Sequence, residues 1–277
     1  MVRPYTLLAA LAALAVAASL VAAATASRAH VHAQPSAVPL VWRAEMRVVQ
    51  LPERARMPAH PARDRSRRSS HQARAVRSHK VLVVRKGRGL DLRSKPNGPV
   101  VAHAGDRTEF GSPTALSVVA HHGSWVGVTS ALLTNGSVGW VRPAAGDVSR
   151  TTNDFELDVS LSRRAIDLRK GSKKLRTVRV AIGRPGNDTP TGRFAVTDKI
   201  AGTSFGAYYG CCILALSGHQ THLPPGWKGG DRLAIHGTDA PGTIGTPASA
   251  GCLRAGDADL HVLMDKVPLG TPVVIRQ

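Results

Sequence analysis

Cysteine is scarce in this chain of 277 residues: there are three, Cys211, Cys212 and Cys252. No Cys-x-x-Cys pair occurs, and the close histidine pairs outside the basic region 27–79, His121 with His122 and His219 with His222, come without a third ligand nearby. No metal site and no cofactor are therefore expected. Aromatic residues make up only 4% of the chain, and acids are in deficit, with 18 Asp and Glu against 37 Lys and Arg, for a formal net charge of +19. A surface so charged is drawn toward anionic polymers. Apolar content is ordinary, and the length suffices for one large or two small domains with a buried core.

Charge is also missing from one early stretch. After Arg3, the run from Leu7 to Ala24 is made almost wholly of Leu, Ala and Val, and Ala24-Thr25-Ala26 supplies a small-x-small cleavage site. Residues 1–26 are expected to be a signal peptide or, since about 20 apolar residues cross a bilayer, an N-terminal membrane anchor. No cysteine lies near enough for a thioether-linked lipid. Export removes nucleic acid as the expected partner of the basic charge and leaves anionic wall polymers or a membrane surface. In an oxidising compartment an odd number of cysteines leaves at least one thiol free within a monomer.

Residues 27–79 are rich in Arg, His, Pro and Ala with no sustained period, as in Arg63-Asp64-Arg65-Ser66-Arg67-Arg68, and are expected to be a disordered basic linker. Order is expected from Lys80. Short strand patterns follow at close spacing through residues 80–150: Val81-Leu82-Val83-Val84, Leu90-Asp91-Leu92, Ala115 to Ala120, Trp125 to Val128 and Val138 to Val141, with Asn135-Gly136 as a hairpin signal. The words Leu92-Arg93-Ser94-Lys95-Pro96, Gly123-Ser124-Trp125-Val126 and Val138-Gly139-Trp140-Val141 resemble bacterial SH3-like domains. Trp125 and Trp140 are expected to fill the core of a small barrel, with gripping of peptide or glycan as the alternative.

Residues 151–277 carry longer alternating strands: Glu156 to Leu161, Ala165 to Leu168 and Leu175 to Ile182. Asp257 to Met264 has Leu260, Leu263 and Met264 at helical spacing, with Asp257 placed to cap its start. Val273 to Ile275 closes the chain as a strand. The fold class expected is mainly β, with one or two short helices. The vicinal pair Cys211-Cys212 leads into a strand, so burial is its expected role, with a vicinal disulfide as the rarer alternative.

The chemistry is concentrated in Ala234-Ile235-His236-Gly237-Thr238 and Ser249-Ala250-Gly251-Cys252-Leu253-Arg254. A thiol is a poor nucleophile until deprotonated, and an imidazole within reach can take its proton and later return it to a leaving amine. Ala250 and Gly251 lack bulk that would shield backbone N–H groups, so these groups can converge on an oxyanion.

His236-Gly237-Thr238 with Ser249-Ala250-Gly251-Cys252-Leu253-Arg254 resembles the active-site signature of the L,D-transpeptidase (YkuD-like) family. Asp188-Thr189-Pro190-Thr191-Gly192-Arg193-Phe194 and Val267-Pro268-Leu269-Gly270-Thr271-Pro272-Val273 resemble two further words of that family, in the same order. The resemblance covers about Asp154 to Gln277 and implies a β-rich catalytic domain over 151–277 behind the SH3-like barrel of 80–150. It implies Cys252 as nucleophile and His236 as base, with the Gly237 carbonyl orienting the imidazole. Ser249 and Ala250 would support the loop, and the Gly251 and Cys252 N–H groups would bind the oxyanion. Arg254 would hold either the substrate carboxylate or, through a salt bridge, the cysteine loop, and Tyr209 and His219, with Tyr208, would line the groove. One departure is Ala250, where many members carry a second histidine.

The implied reaction is peptidoglycan 3-3 cross-linking between donor and acceptor stem peptides through a thioester, with release of D-Ala. Carbapenems would be covalent inhibitors. The alternatives are an L,D-carboxypeptidase using water as acceptor and a non-catalytic cell-wall-binding protein. A papain-like peptidase fits poorly, because there the Cys normally precedes the His.

Overall fold

The computed structural model describes residues 78–277. The expected export segment and all but the end of the basic linker lie outside the described residues. The fold is mainly β, with a single α-helix among the described residues.

The first seven strands are β1 (His79–Val84), β2 (Gly89–Arg93), β3 (Val100–Gly105), β4 (Ala115–His122), β5 (Trp125–Val128), β6 (Gly139–Val141) and β7 (Val148–Asn153). They form one sheet in the order β3-β2-β6-β5-β4-β1-β7. Side chains alternate across a strand, so Leu90 and Leu92 turn inward while Asp91 between them stays exposed. Leu82, Val84, Ala104, Leu116, Val128, Val141 and Val148 complete the buried cluster. Trp125 and Trp140 are not in it. Both are only half-buried, and the aliphatic side chains close this small core without them, which corrects the expectation that they fill it. Asn135-Gly136 is a turn, closed by the Ser137 N–H donating to the Thr134 carbonyl at 3.1 Å. It lies within a longer connection, because the strands it links end at Val128 and resume at Gly139.

The second half contributes β8 (Phe155–Ser160), β9 (Ala165–Lys170), β10 (Lys173–Arg179), β11 (Ile182–Gly183), β12 (Gly192–Ala201), β13 (Cys212–His219), β14 (Arg232–His236), β15 (Pro247–Ser249), β16 (Leu253–Arg254), α1 (Asp257–Lys266) and β17 (Pro272–Arg276). Eight of these strands make a sheet in the order β10-β9-β8-β17-β12-β13-β14-β16, and β11 pairs with β15. The β8–β9 hairpin sets Leu157 against Leu168 and Val159 against Ile166. β17 lies parallel to β8, with Val273 beside Leu157. A second parallel pair, β14 with β16, puts His236 beside Arg254, and the antiparallel β13 puts Ile213 on the other side of His236. Strand register alone therefore brings the chemistry-bearing residues to one sheet end.

β13 is buried on both faces for nearly its whole length, as its unbroken apolar run requires, and α1 packs against it. Leu260 and Leu263 on α1 are fully buried among Leu214, Leu216 and Leu233. The helix begins differently from expectation. Gly256 is its N-cap and no side chain caps it, while Asp257 is the first helical residue. The Asp257 carboxylate is engaged elsewhere, accepting the Cys211 N–H at 3.2 Å.

The two sheets are joined by polar contacts. Asn153 donates to Thr271 Oγ at 2.6 Å, and the Asn135 side chain exchanges hydrogen bonds with both backbone groups of His219. Truncating a fully buried leucine leaves a cavity that costs about 2–5 kcal/mol. Leu260→Ala should lower the unfolding free energy by that amount, read as a lower urea midpoint at unchanged slope, while a substitution at exposed Ala258 leaves the midpoint in place.

Candidate active site

His236 ends β14 with no exposed surface. Its Nδ1 lies 2.6 Å from the Gly237 carbonyl oxygen. A carbonyl only accepts, so Nδ1 carries the proton and the lone pair of the neutral ring is on Nε2. Nε2 is buried and has no partner among the described residues. Burial pushes the pKa of His236 down from 6.5 to about 4, the bond to Gly237 works against that shift, and the nearby Arg254 cation adds to it. The imidazole is therefore neutral at pH 7 and is built to accept a proton at Nε2.

Gly237 is placed as firmly as the ring it orients. Its N–H donates to the Cys212 carbonyl at 3.1 Å. A Cβ at this position would stand 2.7 Å from both Asp257 Oδ1 and the Gly210 Cα, so only glycine allows the two loops to approach this closely.

Cys252 is the free cysteine and is partly buried, just ahead of β16. Its Sγ faces the Arg232 carbonyl oxygen at 3.8 Å. Burial pushes the thiol pKa up from 9.0, against the lowering effect of a backbone hydrogen bond from Ala234 and of the Arg254 charge. Thiol and imidazole are thus both neutral at rest.

The loop before Cys252 is clamped on each side. Ser249 Oγ donates to the Cys252 carbonyl at 2.6 Å and accepts the Gly251 N–H at 3.0 Å. Gly251 N–H is therefore already engaged, which corrects the expectation that it binds an oxyanion alongside Cys252. The Gly251 carbonyl accepts from Thr189 Oγ at 2.7 Å. In a trans peptide the next N–H points the opposite way, so this bond aims the Cys252 N–H away from Thr189. The Ala250 carbonyl accepts from Gln220 Nε2 at 3.0 Å. Gly251 sits at φ +123°, and a Cβ there would fall 1.8 Å from the same Gln220 nitrogen.

Arg254 is buried yet has no carboxylate partner among the described residues, so the salt-bridge role open to it in the sequence is not the one observed. Its guanidinium lies 4.5 Å above the Tyr208 ring and donates to the Tyr208 hydroxyl. Its Nε has no acceptor among the described residues. Tyr209 packs its ring 4.9 Å from that of His236, and burial together with the neighbouring Cys252 raises its pKa. Tyr208, Tyr209 and Trp227 line one side of a narrow cleft of about 40 Å³ that also borders Cys252, His236 and Ala250.

His219 is not among the residues that line this cleft. Its Nε2 bonds the Ala131 carbonyl at 2.8 Å and its Nδ1 lies 3.1 Å from Asp231, so it ties the two sheets together instead. Residues the sequence reasoning passed over are Gln220, Thr189 as a hydrogen-bond donor, Arg232 and Trp227. Only Thr189 had a signal, as part of the Thr-Pro word. Cys211 and Cys212 form a disulfide, the rarer of the two roles considered for them, with Cys212 also buried.

The L,D-transpeptidase catalytic domain family, YkuD, matches residues 154–275. The putative L,D-transpeptidase YkuD of Bacillus subtilis (strain 168) is 31% identical over 128 residues, which span 46% of this chain and 68% of that protein. Two solved structures are similar at lower identity. The L,D-transpeptidase LdtMt1 in complex with imipenem is 17% identical, covering 58% of this chain and 90% of that one with a TM-score of 0.36. L,D-transpeptidase 3 from Mycobacterium tuberculosis with a faropenem-derived adduct is also 17% identical, covering 50% and 73% with a TM-score of 0.34. The chain belongs to the YkuD family of L,D-transpeptidases.

Two outcomes follow from the charge states. A neutral resting thiol should react with iodoacetamide at a rate that climbs through and beyond pH 9, and Cys252→Ala should remove the reaction; a plateau at neutral pH would mean a resting thiolate–imidazolium pair. For His236, the unfolded chain takes up a proton below pH 6.5 that the native ring refuses until about pH 4. Its contribution to stability is thus present above pH 6.5 and lost as pH falls toward 4, on the order of 3 kcal/mol in all. The difference in denaturant stability between wild type and His236→Asn should change across that window. Parallel curves would contradict a buried neutral imidazole.

Proposed function

We propose that the protein is an exported peptidoglycan L,D-transpeptidase that forms 3-3 cross-links through a thioester on Cys252. The observation that carries this reading is the pairing, in one cleft, of a free thiol with a buried imidazole whose tautomer is set by a backbone carbonyl. Family membership supports the reaction class. The run from Leu7 to Ala24 supports export, and the small β-sheet of the N-terminal half is proposed as the SH3-like module that accompanies it.

In the proposed mechanism the donor stem peptide enters the cleft and lays the carbonyl of its third residue over Cys252. The Sγ proton passes to His236 Nε2 as sulfur attacks that carbon. The oxyanion accepts the Cys252 N–H, and the partly formed negative charge is stabilised by Arg254. Collapse expels the terminal D-Ala amine, which takes the proton from His236, and a thioester remains. A side-chain amine of a second stem then attacks the thioester, its proton moves to His236, and the sulfur leaves and recovers that proton. Water in place of the amine gives the carboxypeptidase outcome by the same steps.

This sequence needs His236 to be neutral before attack and cationic only while charge develops on the substrate. Arg254 assists the thiolate and opposes the imidazolium, so the ion pair is costly at rest and becomes worthwhile when substrate brings an oxyanion. A β-lactam of the carbapenem class presents a strained carbonyl to the same sulfur and is proposed as a covalent inhibitor.

Intact-mass measurement tests the reading. Wild-type protein incubated with a carbapenem should gain one adduct, and with a tetrapeptide-stem muropeptide should release D-Ala, while Cys252→Ala does neither. Binding to purified sacculi without D-Ala release, and unaffected by Cys252→Ala, would overturn it in favour of a wall-binding protein.

A further inference from the structure

We propose that Cys211, Cys212 and His261 form a binding site for a thiophilic divalent cation of the zinc class, opened when the Cys211–Cys212 disulfide is reduced. The site lies outside the thiol cleft and does not depend on the acyl-transfer reading.

The ligand atoms of these three residues all lie within 4.8 Å of one another. Cys212 Sγ is 3.8 Å from His261 Nδ1. A tetrahedral zinc with bonds of about 2.3 Å to sulfur and about 2.0 Å to nitrogen places those two ligands about 3.5 Å apart. The imidazole is thus close to its coordinating position before any ion arrives. The two sulfurs, bonded in the oxidised form, would open to about 3.8 Å on the same geometry. His261 is exposed on α1 while Cys212 is buried, so the site has an open side for entry and for a water as fourth ligand.

The backbone keeps these groups together whether or not the disulfide is intact. Cys211 N–H donates to Asp257 Oδ1 at 3.2 Å, in the first turn of the helix that carries His261. The Cys211 carbonyl accepts from Gly202 N–H at 2.8 Å, and the Cys212 carbonyl from Gly237 N–H at 3.1 Å. Reduction therefore frees two thiols that stay beside His261. The chemistry balances as thiol–disulfide exchange: two equivalents of a small thiol reductant give up two electrons and two protons to the pair and leave as their own disulfide. The cation then binds both sulfurs as thiolates and the neutral imidazole, and two protons pass to solvent. Bound there, it is held by Cys212, whose own carbonyl accepts the Gly237 N–H, and the Gly237 carbonyl in turn holds His236.

The test uses the full chain carrying Cys252→Ala, so that the vicinal pair supplies the only thiols. The protein is reduced with a phosphine, desalted without air and titrated with cobalt(II). The reduced protein should show a thiolate-to-cobalt charge-transfer band that saturates at one equivalent and is bleached by zinc. The oxidised protein should show none. Cys211→Ser and Cys212→Ser should each abolish the saturating band, and His261→Ala should weaken cobalt binding at least tenfold with unchanged circular dichroism. A reduced protein with two titratable thiols and no band, or a band indifferent to His261→Ala, would overturn the site.

Discussion

The active-site end of the sheet depends on one hydrogen bond, from His236 Nδ1 to the carbonyl of the next residue, Gly237. No carboxylate is needed to set the tautomer, because a backbone oxygen can do nothing but accept. Everything around the bond serves to keep that oxygen in place. Cys212 holds the Gly237 N–H, and the Gly210 and Asp257 contacts leave no room for a side chain on Gly237. Burial of the ring then makes its charged form expensive, so the orientation of the imidazole and its neutrality come from the same packing.

A similar economy governs the loop that carries Cys252. Three side chains hold the segment from Ala250 to Cys252: Thr189 and Gln220 each take one backbone group, and Ser249 takes two. With the Gly251 N–H and carbonyl both committed, the proposed mechanism leaves the Cys252 N–H to meet an incoming oxygen. The N-terminal sheet reaches the same region. Glu109 pairs with Arg232, whose carbonyl faces Cys252 Sγ, and Thr108 donates to the fully buried Asp198. Contact between the two sheets is thus part of the support of the site, and His219, expected in the groove, is spent on that contact.

Much of this was legible from the chain. Local alternation marked most strands, because each has a buried face. The apolar spacing at Leu260, Leu263 and Met264 marked α1, and the words around His236 and Cys252 marked the chemistry. What escaped depends on register and long-range proximity. Gln220 lies 30 residues from Ala250 in sequence, and Cys212 lies 49 from His261; neither pairing leaves a local pattern. Engagement of Gly251 N–H by Ser249 could not be read either, since a small residue is equally suited to exposing an N–H and to a tight turn. The Trp125 and Trp140 error has another cause. Size suggested core, but the aliphatic residues of that small sheet already fill it.

The measurement that bears most directly on this account is the nitrogen chemical shifts of the His236 ring across pH, by NMR on protein labelled at histidine. The structure requires a neutral ring protonated at Nδ1 from pH 7 down to about pH 4. An imidazolium at neutral pH, or a neutral ring protonated at Nε2, would contradict it, because the first implies a resting ion pair with Cys252 and the second leaves no lone pair to receive the thiol proton.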